Sequence, residues 1–179
     1  MTLATKITLL RIVCIPLFIY SFFHGHLYFQ WHLWISAVLF LSIALTDALD
    51  GYLARRYQEV TNIVKFLKSL ADKLLVSAGL LCLLEVGKIT SMPVFIIVAR
   101  EFAISGLRSL ALLQSQTSIA ASGLAKIKTV AQVALVIVLI LQIRIPIFES
   151  YDQWLIWLTV GITVASAIDY ISKYRRLFF

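Results

Sequence analysis

The sequence predicts an all-α polytopic membrane protein with six transmembrane helices. Three observations carry that prediction. The 179 residues are 61% hydrophobic and have a mean hydropathy of +0.93. A soluble domain of this length needs a far more polar surface. The apolar residues fall into runs, each near the roughly 20 residues required to cross the hydrocarbon layer. The basic residues gather in the short segments between alternate runs.

Taken in order, the first span covers 8–24, with Pro16 inside it as a source of kinking. Residues 1–7 are mixed in character and are expected to form a short N-terminal interfacial helix lying on the membrane. The second span covers 33–56 and the third 63–86. The fourth covers 92–113, with Pro93 placed in its first turn, where no backbone N–H is missed. The fifth covers 126–143 and the sixth 153–173. The chain has no second hydrophobic unit, so residues 1–179 read as a single membrane domain.

Charge placement sets the expected orientation. With the N-terminus inside, the inner segments hold Lys6, Arg11, Arg55, Arg56, Lys65, Lys126, Lys128, Lys173, Arg175 and Arg176. The outer loops hold only Lys88 and Arg144. That bias predicts cytoplasmic termini. The same placement argues against nucleic acid as the partner behind the net charge of +7. It fits topology and attraction to anionic lipid instead. Tyr28, Trp31 and Trp34, with Tyr151, Trp154 and Trp157, suit an interfacial aromatic belt. Cys14 and Cys82 both lie in apolar runs and read as small hydrophobes. No small-residue cleavage site follows the first apolar run, so that run is expected to remain as a membrane helix.

One stretch does not fit an oily bundle. Asp47 and Asp50 stand three residues apart near the inner end of the second span. Gly51 and Ala54 share their helical face, and Arg55 follows at the mouth. The third span adds Lys68 and Asp72, four apart. Charged groups at membrane depth are costly, and such a cluster reads first as a functional site. Converging carboxylates hold hard divalent cations, and cations so held clamp phosphate oxygens. Small residues let a ligand approach the backbone, and a guanidinium suits a phosphate. The plainer reading is helix–helix glue, with Lys68 neutralising the acids. It leaves the small residues and Arg55 without a purpose.

This pattern resembles the signature of the CDP-alcohol phosphatidyltransferases, D-x2-D-G-x2-A-R-x8-G-x3-D-x3-D. Asp47, Asp50, Gly51, Ala54, Arg55 and Asp72 match it in identity and spacing. The segments Arg100-Glu101-Phe102, Ser105-Gly106-Leu107-Arg108, Ile119-Ala120-Ala121-Ser122 and Lys126-Ile127-Lys128-Thr129 resemble the phosphatidylglycerophosphate synthase branch. The likeness runs from Thr8 and Arg11 to Asp169 and Tyr170. It implies a homodimeric bundle with a polar cavity open to the cytoplasm, in a bacterial plasma membrane. It implies CDP-diacylglycerol as donor, glycerol 3-phosphate as acceptor, and Mg²⁺ or Mn²⁺ as cofactor. Carried over by position, Asp47, Asp50 and Asp72 are metal ligands, and Asp72 is also the catalytic base. Asp47, Gly51, Ala54 and Arg55 bind the nucleotide. Arg108, Lys126 and Lys128 are expected to bind the acceptor phosphate; topology and headgroup contact are the plainer reading of these cations.

Two signature positions depart from the pattern. Val64 stands where the family has glycine, and Lys68 where it has the third aspartate. An ammonium cannot ligate a hard cation, and it changes the local charge by two. Val64 adds branched bulk beside the nucleotide. The expectation is therefore phosphatidyl transfer that is impaired, with a catalytically inactive binder of lipid or nucleotide as the alternative. A small ion transporter is disfavoured, because these charges gather at the inner side and do not run through the span.

Overall fold

A computed structural model describes the backbone of residues 3–24, 31–57, 62–115, 123–143 and 151–178. It describes the side chains of 8–24, 31–46, 70–107, 123–143 and 151–172. The described residues form six helices: α1 (Leu3–His24), α2 (His32–Tyr57), α3 (Asn62–Glu85), α4 (Ser91–Ser115), α5 (Gly123–Gln142) and α6 (Asp152–Phe178). Their number and order follow the six apolar runs. Pro93 lies in the first turn of α4, as its missing donor favours.

The expected separate interfacial helix at residues 1–7 is not formed. Residues from Leu3 onward are the first turns of α1, which runs unbroken to His24 and passes through Pro16. Nothing between Leu3 and Arg11 breaks a helix: the segment has no glycine or proline.

Among the described residues, two helices are long and apolar enough by composition to cross a membrane: α5, at mean hydropathy 2.2, and Asp152–Ser172 of α6, at 1.6. Thr8–His24 and His32–Thr46 are shorter apolar stretches. Large apolar side chains lie exposed along the helices, among them Leu10, Val13 and Leu17 on α1, Phe95 on α4 and Val130 on α5. Such a surface suits lipid and not water.

The chain divides into two compact units. The first comprises Met1–Lys88 with Val136–Ile147. In it α1 packs on both α2 and α3, and α2 packs on α3. Phe18 is the hub: its ring lies 5.3 Å from Phe40 of α2 and 6.2 Å from Phe22. The hydroxyls of Ser21 and Ser36 meet at 3.0 Å between α1 and α2. Small polar residues of this kind let membrane helices approach closely. α3 ends at Glu85, and Gly87 just beyond it has a φ of +74°, which a side chain rarely tolerates. The Gly87 amide donates to the Leu84 carbonyl and the Lys88 amide to the Leu83 carbonyl, each at 3.0 Å, closing the helix end.

Gly79 fixes the packing of α3. A Cβ there would meet Val136 Cγ1 at 2.7 Å and Phe40 Cε2 at 2.9 Å. Gly79→Ala improves helix propensity by about 1 kcal/mol, but overpacking a filled core costs about 1–3 kcal/mol. The clash is with a branched side chain and a ring held at 0% exposure, neither of which yields easily. Net destabilisation of about 1 kcal/mol is expected, measured by unfolding in mixed micelles. A stabilised variant would show that the ring moves aside.

The second unit comprises Ile89–Leu135 with Phe148–Phe179, and in it α4 packs against α6. Ile97 and Ile104 of α4 and Ile156 and Val160 of α6 are buried. So are Glu101, Lys128, Gln132, Thr163 and Ser166, which is an unusual polar content for an apolar core.

Candidate active site

The predicted site residues lie on the helices expected to carry them. Asp47, Asp50, Gly51, Ala54 and Arg55 occupy the last three turns of α2. Helical register brings positions 47, 50, 51 and 54 to one side of it. Val64 and Lys68 occupy the first turns of α3, and Asp72 follows one turn after Lys68. α2 and α3 pack on each other within the first unit. The side chains of 47, 50, 51, 54, 55, 64 and 68 lie outside the described residues, as does that of Arg108 on α4. The expected pairing of Lys68 with the aspartates lies outside them too.

Asp72 is described, and its surroundings were not anticipated. Arg11, buried in α1, donates from Nη1 to Asp72 Oδ1 at 2.9 Å. The Asp72 side chain remains 36% exposed, so the carboxylate is fixed by Arg11 and still reaches the surface of the first unit. A guanidinium inside an apolar helix must pair or hydrogen-bond to offset its desolvation. Helix α1 therefore supplies the cation that fixes the orientation of the α3 carboxylate. Charge counting had assigned Arg11 to topology alone. Its isolation within an apolar run was the signal that could have marked it as a site residue.

The second unit holds a separate polar network. Glu101 Oε1 accepts from the Lys128 ammonium, from Gln132 Nε2 at 3.2 Å and, more weakly, from Arg100 Nη1 at 3.5 Å. Arg100 Nη2 also donates to Ser166 Oγ at 2.9 Å, and Gln132 lies 3.3 Å from Thr163 Oγ1. Arg100 and Glu101 therefore reach different helices, as their adjacency predicts, while also touching each other. Lys128 is not in an open phosphate pocket. It is 7% exposed and neutralises Glu101, because a buried carboxylate without a partner costs several kcal/mol. Lys126, two residues earlier on α5, is exposed and keeps the reach that Lys128 lacks.

Removing one member of this pair is expected to cost far more than removing both. Lys128→Met should destabilise by about 2–3 kcal/mol, below the cost of a fully unpaired charge, since Glu101 keeps Gln132 and the longer contact with Arg100. Adding Glu101→Leu should recover most of the loss. A double-mutant cycle on unfolding in micelles measures this, and additive losses would show that the two groups are not coupled.

A family model of CDP-alcohol phosphatidyltransferases matches residues 1–165. The chain is 40% identical over 188 residues to the CDP-diacylglycerol–glycerol-3-phosphate 3-phosphatidyltransferase of Bacillus subtilis, with 96% of this chain and 94% of that protein covered. It is 32% identical to the Rickettsia felis enzyme of the same name, with 98% and 97% covered. The Salmonella paratyphi A enzyme of that name is 34% identical, with 96% and 93% covered. The matches span the helices that carry the aspartates, the buried Arg11 and the Glu101 network alike. On this evidence the chain is a member of the CDP-alcohol phosphatidyltransferase family.

Proposed function

We propose that this chain transfers the phosphatidyl group of CDP-diacylglycerol to glycerol 3-phosphate, giving phosphatidylglycerophosphate and CMP. The observation that carries the reading is the Arg11–Asp72 pair: a carboxylate one turn beyond Lys68, oriented by a buried guanidinium and 36% exposed. In the reaction, the acceptor hydroxyl oxygen bonds to the phosphorus that carries diacylglycerol. The bond from that phosphorus to the CMP oxygen breaks, and Asp72 takes the hydroxyl proton. A base held in place contributes about 10²–10⁴-fold to such a step. Asp47, Gly51, Ala54 and Arg55 hold the nucleotide, with the small residues giving room and Arg55 facing phosphate. Arg108 and Lys126 orient the acceptor phosphate. Lys128 serves them indirectly, by keeping Glu101 neutralised.

The donor set fits one divalent cation. Asp47, Asp50 and Asp72 contribute three negative charges and Lys68 one positive, a formal sum of −2. The four aspartates of the family signature sum to −4, which two divalent ions balance. When bound, Mg²⁺ or Mn²⁺ supplies electrostatic stabilisation of the phosphate oxygens. In sequence, Lys68 stands at the signature position of the third aspartate.

The six helices are read as six spans with both termini and the site on the cytoplasmic side of a bacterial plasma membrane. The protein is read as one domain and as a homodimer. The lysine and arginine bias of the loops and the exposed apolar surface support the spanning reading.

Purified protein with CDP-diacylglycerol and Mg²⁺ should release CMP when glycerol 3-phosphate is added, and not with glycerol, serine or inositol. Failure with every acceptor, while CDP still binds, would establish the non-catalytic binder that Lys68 favours. Failure to bind CDP would remove both readings.

A further inference from the structure

Helix α5 is anchored in two different ways along its length. From Leu135 onward it buries apolar side chains: Leu135, Val136, Leu139 and Ile140. Before Leu135, among the described residues, its buried positions are Lys128 and Gln132 alone. Leu124, Ile127 and Val130 in the same turns are exposed, and so are Lys126 and Thr129. The start of α5 is therefore set by two polar side chains and not by an apolar core.

Lys128 and Gln132 are one turn apart and share a helical face. Lys128 makes a single charged contact, to Glu101 of α4. Gln132 reaches two helices: its Nε2 donates to Glu101 Oε1 of α4 at 3.2 Å and to Thr163 Oγ1 of α6 at 3.3 Å. Both amide protons are used, one toward each helix. Gln132 and Thr163 are 1% and 0% exposed, so water does not compete for these bonds. α4 and α6 pack on each other, and Arg100 ties them again through Ser166. The Gln132 amide thus refers α5 to two helices already fixed together. Apolar burial is non-directional, whereas a hydrogen bond constrains angle as well as distance. Lys128 alone pins one point and leaves α5 able to turn about it. Lys126 lies in the first turn, six residues before Gln132 and about 9 Å along the axis.

We infer that Gln132 is a positioning residue for the acceptor: its two hydrogen bonds hold the start of α5 in the rotation at which Lys126 meets the phosphate of glycerol 3-phosphate. The inference rests on the reading of Lys126 as an acceptor-phosphate cation. Gln132 is buried and acts through Lys126. Its removal leaves Glu101 with Lys128 and Arg100, so no charge is stranded and the effect falls on geometry.

The test is equilibrium binding of radiolabelled glycerol 3-phosphate to the full-length protein in nanodiscs, with Mg²⁺ and no donor. Gln132→Leu is expected to raise the Kd about fivefold, about 1 kcal/mol, with the number of sites unchanged. Affinity for CMP, whose proposed residues lie on α2, should stay within about twofold. Thr163→Ser keeps the hydroxyl and should bind as the unaltered protein does, whereas Thr163→Val should shift the Kd in the same direction as Gln132→Leu. Should Gln132→Leu fail to fold, the two Thr163 variants carry the same test. Lys126→Ala should raise the Kd about tenfold, and adding Gln132→Leu to it should change the Kd less than about twofold, because the residue it acts through is gone. A loss of sites at constant Kd, an equal loss of CMP affinity, or additive effects of Gln132→Leu and Lys126→Ala would make Gln132 a packing residue and overturn the assignment. An unchanged Kd in Gln132→Leu, or in Thr163→Val, overturns it alone. An unchanged Kd in Lys126→Ala, or no glycerol 3-phosphate bound by the unaltered protein, removes the acceptor reading of Lys126 and the assignment with it.

Discussion

Lys68→Asp together with Val64→Gly is expected to raise CMP release about a hundredfold over the unaltered chain. The estimate follows from two effects. A second metal ion stabilises developing charge on the transferring phosphoryl group by several kcal/mol, and each 1.4 kcal/mol is worth about tenfold. The substitution changes the formal charge of the four signature positions from −2 to −4, which restores the attraction for that ion. Val64→Gly restores the signature glycine at the start of α3 and removes a branched side chain there. Measured separately, Lys68→Asp should carry most of the gain in kcat, and Val64→Gly should act mainly on the KM for the donor. No gain in the double variant would mean that these positions do not limit the reaction, and the weakness would have to be sought elsewhere.

The second large effect concerns Arg11. Arg11→Ala removes the cation that holds Asp72 and leaves its carboxylate without that partner in an apolar setting. Breaking a fully buried pair costs about 3–5 kcal/mol. Because the Asp72 side chain is 36% exposed, solvation of the carboxylate lowers the expected loss here to about 1–3 kcal/mol. Turnover should fall more than stability explains, since the base is no longer aimed. Arg11→Lys keeps the charge but loses the planar fork, and it should recover stability better than kcat. Asp72→Asn gives the contrasting signature. Its amide oxygen still accepts from Arg11, so stability changes little, while CMP release falls about 10²–10⁴-fold with the loss of the base. If Arg11→Ala and Arg11→Lys lower kcat equally and Asp72→Asn leaves it intact, Asp72 is not the base.

Much of the fold was legible because apolar run length is a strong signal in membrane helices. Each of the six runs corresponds to a helix, and Pro93 falls where a proline is tolerated. The start of α1 was misread because residues 1–7 mix polar and apolar types, and composition alone cannot show that a helix continues through them. The signature on α2 and α3 could be read because its chemistry depends on spacing along single helices. What was not legible depends on contacts between helices distant in sequence. Arg11 and Asp72 are 61 residues apart, and Glu101 and Lys128 are 27 apart. No local periodicity announces either pair. Lys128 was grouped with Lys126 because both fall in the first turns of α5, yet two residues of helical rotation separate an exposed cation from a buried one. Glu101 explains the difference, and only the packing of the second unit reveals it.

As proposed, the site of this chain has an ammonium at one of the four signature carboxylate positions and takes one divalent ion. Counting bound Mn²⁺ on the purified, unaltered protein in the presence of CDP-diacylglycerol tests it most directly, by equilibrium binding with electron paramagnetic resonance. The account predicts one ion per protomer with the spectrum of an isolated centre. Two ions per protomer with a spin-coupled spectrum, or none at saturating Mn²⁺, would contradict it.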